Sequence, residues 1–206
     1  VSSSHPCVKS RCLITDYQVT RLYAMFVLTV DQRRSRRDID RVPDLLDRYA
    51  TRPLSRRFER TAGDEVQAVS DDPDLVVDIA LDLVDDGSWS VGIGAGSTEQ
   101  PLPDVTRAGR GAAFEAARDA VNRAKTAPGA IAVAGPDDDT AADAQAVLTL
   151  LAVLITRRSD EGRSAVATMR TAASQAAAAT ELGISRQAMS QRLSVAGWLA
   201  ELCGRT

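Results

Sequence analysis

The sequence predicts an α+β unit followed by an all-α segment, and three observations carry that prediction. Phe26–Val30 and Ile131–Ala134 are short apolar runs with β-branched residues, as buried strands are. Asp38–Thr51, Pro73–Leu83 and Gly111–Lys125 carry apolar residues at helical spacing. From Thr140 onward the strand pattern disappears and helix follows helix. Gly135-Pro136-Asp137-Asp138-Asp139 reads as the linker between the two parts. The expected units are therefore residues 25–138 and 139–206.

Residues 1–24 show no clear period and lack the apolar core and small-residue cleavage site of a signal peptide. Because Met25 stands directly before the first strand, this stretch is expected to be a disordered extension or the product of a start assigned too early. The strand ends at Asp31 and runs into Gln32-Arg33-Arg34-Ser35-Arg36-Arg37. The helix that follows presents Val42, Leu45, Leu46 and Tyr49. Phe58–Val69 reads as a hairpin with Gly63-Asp64 at its turn. Pro73 opens a helix whose apolar face is Leu75, Val76, Ile79, Ala80 and Leu83, and Asp85-Asp86-Gly87 ends it. Trp89–Gly96 alternates as a strand, a loop with Pro101 and Pro103 follows, and the next helix turns Phe114, Ala117, Val121 and Ala124 inward. The helical segment divides into about 141–158, 161–169 and two short helices.

Composition narrows the functions. The chain has 206 residues and a net charge of −3, so it offers no general attraction for nucleic acid, and any such contact must be local. Cys7, Cys12 and Cys203 are too scattered for a disulfide framework, and His5 is the lone histidine, which leaves no zinc set and no nucleophilic triad. Apolar runs such as Ala146–Ile155 fall short of the roughly 20 residues a membrane span needs. A cytoplasmic protein with no membrane partner is expected.

The most specific pattern is Ser174–Trp198. Ser174 caps a first helix, Ala176, Ala177 and Ala178 permit close packing, Leu182 closes its apolar face, and Gly183 supplies the turn. Ile184 is an apolar plug, and Ser185 caps a second helix whose inward residues are Met189, Leu193 and Ala196. Its outward residues are Arg186, Gln187, Ser190, Gln191 and Arg192, with no acid among them. The pattern resembles the helix-turn-helix of bacterial DNA-binding proteins, spanning 174–196, in which the second helix enters the major groove. Arg and Gln suit guanine and adenine edges, while Ser and Arg suit phosphates. An ordinary helical hairpin with a solvated polar face is the alternative. No β-wing is expected after Leu193.

The order strand, helix, hairpin, helix, strand, helix, strand suggests a ferredoxin-like palm. Three local patterns sharpen it: the strand ending in Asp31 with Ser35-Arg36 soon after, the hairpin Gly63-Asp64-Glu65-Val66-Gln67, and Val91–Gly96 followed by Gly111-Ala112-Ala113-Phe114 and Ala117-Arg118. Over Met25–Val133 the set resembles the SatD-like family, which is similar to the palm of class III nucleotidyl cyclases and diguanylate cyclases. That resemblance implies that Asp31 and Asp64, with Glu65 beside them, hold Mg²⁺ or Mn²⁺ with a nucleotide. Arg33, Arg34, Arg36 and Arg37 would clamp its phosphates, and Arg118 matches a transition-state arginine. The residues also admit a bland reading, with Asp64 as a turn residue, Asp31 as a helix cap and the arginines as a solvated face.

The chain departs from the cyclase pattern at two places. Phe114 stands where an amide side chain is required, and Gln32 follows Asp31 where an apolar residue is usual. Loss of such charge stabilisation costs about a hundredfold in rate or more. The expectation is therefore a palm that binds or packs without cyclase catalysis. Gly92, Gly94 and Gly96 do not form a dinucleotide loop, because a long loop rather than a helix follows them. The function expected is a transcription regulator that reads double-stranded DNA as a homodimer, its cyclase-like domain pairing two readers and accepting a nucleotide or metal ligand. A metal-dependent nucleotide-processing enzyme and a protein-interaction module are the alternatives.

Overall fold

The structure is a computed structural model that describes residues 25–35 and 38–205. The expectations for residues 1–24 and for Arg36 and Arg37 lie outside the described residues. Within them the chain is α+β, with five strands and eight α-helices.

Strand β1 (Met25–Gln32) is central. The hairpin β2 (Arg56–Ala62) and β3 (Glu65–Ser70) lies on one side and β4 (Trp89–Gly96) and β5 (Ile131–Ala134) on the other, in the order β2-β3-β1-β4-β5. All neighbours are antiparallel except β4 and β5. The β1–β3 register pairs Asp31 with Glu65, and the β1–β4 register pairs Asp31 with Ser90.

The period-2 alternation of the strands divides the core between two faces. Leu28, Val30, Val66, Ala68, Val91, Ile93, Ile131 and Val133 lie in one cluster with α1 (Val42–Tyr49) and α2 (Pro73–Asp86). Val27 and Val69 face the other way, against Ala113, Phe114 and Ala117 of α3 (Ala112–Ala124). Phe114 is 8% exposed, in the core as its apolar ring requires. The glycines of β4 let α3 sit directly on the strand: a Cβ on Gly92 would lie 2.2 Å from Val121 N, and one on Gly94 would lie 2.2 Å from Ala113 O. The Gly-Ile-Gly pattern is thus a packing device.

The linker expected at 135–139 is shorter in the structure, because Asp138 and Asp139 already belong to α4 (Asp138–Thr156), capped by Asp137, whose carboxylate accepts from Thr140 N at 2.7 Å. Leu148, Leu151, Ala152 and Ile155 of α4 belong to the same cluster as the sheet. Gln145 accepts from Val133 N (3.1 Å) and from Arg123 Nη1 (3.1 Å), so α4 also covers the open edge of β5. By length and composition α4 alone, among the described residues, is long and apolar enough to cross a membrane, yet these four side chains are spent on the sheet.

A second cluster starts beyond α4. It joins Ala165 and Val166 of α5 (Asp160–Thr171), Ala178 and Ala179 of α6 (Gln175–Glu181), and Met189, Leu193 and Ala196 at and beyond α7 (Arg186–Val195). The last helix, α8 (Trp198–Arg205), has no counterpart in the sequence reading. It docks on α4, where a Cβ on Gly197 would lie 2.5 Å from Leu154 and one on Gly204 would lie 2.8 Å from Leu151.

Candidate nucleic-acid interface and carboxylate cleft

Local chemistry sets the geometry of the α6–α7 pair. Ser174 Oγ accepts from Ala177 N at 3.1 Å and Ser185 Oγ accepts from Ala188 N at 3.1 Å, so each helix starts on a side-chain cap. Gly183 has φ +64°, a left-handed conformation that an L side chain enters at a cost of about 1–2 kcal/mol. Ile184 N bonds back to Ala179 O at 3.0 Å, closing the turn. Beneath it, Ala178, Ala179 and Met189 are fully buried, and the two small residues let the helices approach closely.

The opposite side of α7 is open. Ser185, Arg186, Gln187, Ser190 and Gln191 are exposed, as the spacing predicts. Arg192 differs. It is half-buried and stands about 100° round the helix from Gln191. There it helps to hold the Glu161 carboxyl below the usual value, behind hydrogen bonds from the Glu161 amide and Ser159. Arg192 therefore sits on the flank of the open face with an acidic neighbour.

The carboxylate cleft lies at the end of β1, on the face covered by α3. Asp31, Arg33, Arg34, Asp64, Ser90 and Lys125 line a cavity of about 600 Å³. Register brings Asp31 and Asp64 there as expected, because Asp31 pairs with Glu65 and the hairpin turn lies one residue beyond. Glu65, although it pairs with Asp31 in register, does not line the cleft; its carboxylate accepts from Thr61 Oγ1 at 2.6 Å. Arg118 is exposed on α3 and is absent from the cleft lining.

Two contacts were not legible in sequence. Lys125, at the C-cap of α3, places Nζ 2.8 Å from Asp31 Oδ2. Gln32 is 2% exposed and uses both ends of its amide, donating to Ile39 O (2.7 Å) and accepting from Arg41 N (2.9 Å). It ties the basic loop to β1, which explains a polar side chain at a buried position.

This donor set does not fit a divalent ion well. A lysine ammonium already neutralises Asp31, Glu65 is engaged by Thr61, and no group of three His, Cys, Asp or Glu converges on one point among the described residues. Hard cations need several oxygen donors together.

No protein-family model, no curated protein and no solved structure matches the chain.

Proposed function

We propose that the protein binds double-stranded DNA through a helix-turn-helix formed by α6 and α7, and that it acts as a transcription regulator. One observation carries this reading: an acid-free exposed face of Arg186, Gln187, Ser190 and Gln191 on a helix fixed by two serine caps, a left-handed glycine and a small buried core. Such a helix presents donors and acceptors at its N-terminal end, where recognition helices meet base edges.

The sheet unit is read as a ferredoxin-like palm of SatD-like type that has turned from catalysis to packing and pairing. The order β2-β3-β1-β4, with antiparallel neighbours and two helices on one face, supports the palm. The Asp31–Lys125 pair and the buried Phe114 support the loss of metal chemistry. Pairing of two palms into a homodimer would set two readers on half-sites about one duplex turn apart.

The test is selection of bound duplexes from a random pool with the full chain, followed by a gel shift at fixed salt. A sequence-specific complex is expected, lost when Arg186, Gln187, Gln191 and Arg192 are all replaced by Ala. Retention of full affinity in that variant overturns the assignment.

A further inference from the structure

A second cavity, of about 430 Å³, lies where α1 and α2 of the sheet unit meet α5 and α8. Its polar wall is built on one carboxylate. Glu201 is fully buried and accepts from three arginines: Arg158 Nη2 at 2.6 Å, Arg170 Nη2 at 2.5 Å and Arg205 Nε at 2.8 Å. Arg205 also pairs with Asp78. Arg52 approaches that same Asp78 only loosely, at 3.9 Å. Asp82, the other acid in the lining, is already taken by Arg48 (2.7 Å) and by the Tyr49 hydroxyl (2.6 Å).

The charges therefore do not balance locally. Arg52, Arg158, Arg170 and Arg205 face Glu201 and Asp78, a surplus of positive charge in a chain whose net charge is −3. A guanidinium carries five donors, and Arg170 uses one of them on Glu201. The same lining carries apolar side chains. Trp198 is half-buried, Ile79 lies beneath, and Leu202 is 41% exposed. An indole, a leucine and guanidinium groups with donors to spare, all lining one small cavity, complement a flat apolar body that carries one anionic end.

We propose that this cavity binds a small aromatic monocarboxylate, its carboxylate held by Arg52 and Arg170 and its ring placed against Trp198 and Leu202. The ligand would bridge α1 and α2 to α5 and α8, and so would stiffen the seat of the helical unit on the sheet unit. The inference rests on the cavity and its charges, independent of the DNA reading.

The test is calorimetric titration of the full chain with benzoate, phenylacetate and salicylate, with acetate and phenol as controls that lack the ring or the carboxylate. At least one aromatic carboxylate is expected to bind about tenfold or more tightly than either control and to shift Trp198 fluorescence. Arg52→Ala and Leu202→Asp alter exposed positions. Each is expected to weaken binding about tenfold while far-UV circular dichroism is unchanged. Absence of binding by all three carboxylates at millimolar concentration overturns the proposal, as does equal affinity in both variants. Loss of specific DNA binding would leave the result of this titration unaffected.

Discussion

Lys125 Nζ lies 2.8 Å from Asp31 Oδ2, so the carboxylate at the end of the central strand meets a cation carried by the same chain. Under the proposed reading of the sheet unit, this is the carboxylate that a metal-dependent palm would turn toward a divalent ion. Here the C-cap of α3 supplies the positive charge. Incubation with ATP or GTP and Mg²⁺ or Mn²⁺ is expected to yield no cyclic or linear product, and chromatography of the reaction checks it. A product that disappears in Asp64→Asn would restore the enzymatic reading. Because Lys125 is 43% exposed, Lys125→Met should change stability by no more than about 1 kcal/mol, measured by urea unfolding.

The Arg158–Glu201 pair is of a different kind, since both side chains are shielded, at 1% and 0% exposure. Glu201→Gln keeps the shape and removes the charge, leaving Arg158 buried without its counter-ion. The expected loss is about 3–5 kcal/mol in equilibrium unfolding. Loss of less than about 1 kcal/mol would show that solvent reaches the cluster.

The same residue sets an acid limb on stability. Burial by itself pushes the Glu201 carboxyl up, but the Arg158 hydrogen bond and the fields of Arg170 and Arg205 outweigh it and hold the pKa below the ordinary glutamate value. The folded state therefore binds this proton less readily than the unfolded chain. Its contribution is present above the unfolded value of about 4.3 and is lost as pH falls through the folded pKa. The stability difference between the wild type and Glu201→Gln should shrink as pH is lowered below that value, which thermal melts across pH would read.

Gly94 tests the contact between α3 and β4. An added Cβ would meet Ala113 O and Ala117 N, each at 2.2 Å, and backbone cannot swing aside as a side chain can. Gly94→Ala should cost about 1–3 kcal/mol or more, seen as a lower urea midpoint. Gly135→Ala is the control, since its Cβ would come no nearer than 3.4 Å to Ala95 Cβ and 3.8 Å to Ala95 O.

These residues also mark where the sequence was legible. The strands, the Gly63-Asp64 turn and the serine-capped helices follow from local rules of period, turn and cap, and those rules act within a few residues. Phe114 was legible as core for the same reason. The allegiance of α4 was not: helical periodicity reveals an apolar face but not the surface that it meets, and the breakers at 135–139 suggested separation where Leu148 and Leu151 join the sheet core. Glu201 stood in a stretch with no assigned structure, and its partner Arg158 lies 43 residues away, so only the fold could pair them. The Asp31–Lys125 contact escaped for that reason too, and it is the contact that alters the reading of the cleft.

The structure separates the six residues expected to read DNA. Arg186, Gln187, Ser190 and Gln191 share the open face, whereas Arg192 lies on the flank, half-buried and within the influence of Glu161. A side chain on the flank can reach a phosphate but is poorly placed for a base edge. Single substitutions in a fluorescence-anisotropy assay should therefore fall into two classes. Gln187→Ala and Gln191→Ala should each cost about 1–3 kcal/mol on the selected duplex and relax its sequence preference. Arg192→Ala should weaken selected and unrelated duplexes alike and reduce the slope of log affinity against log salt by about one. Equal loss of sequence preference in all three variants would place Arg192 on the bases together with the open face and would overturn its assignment to a phosphate.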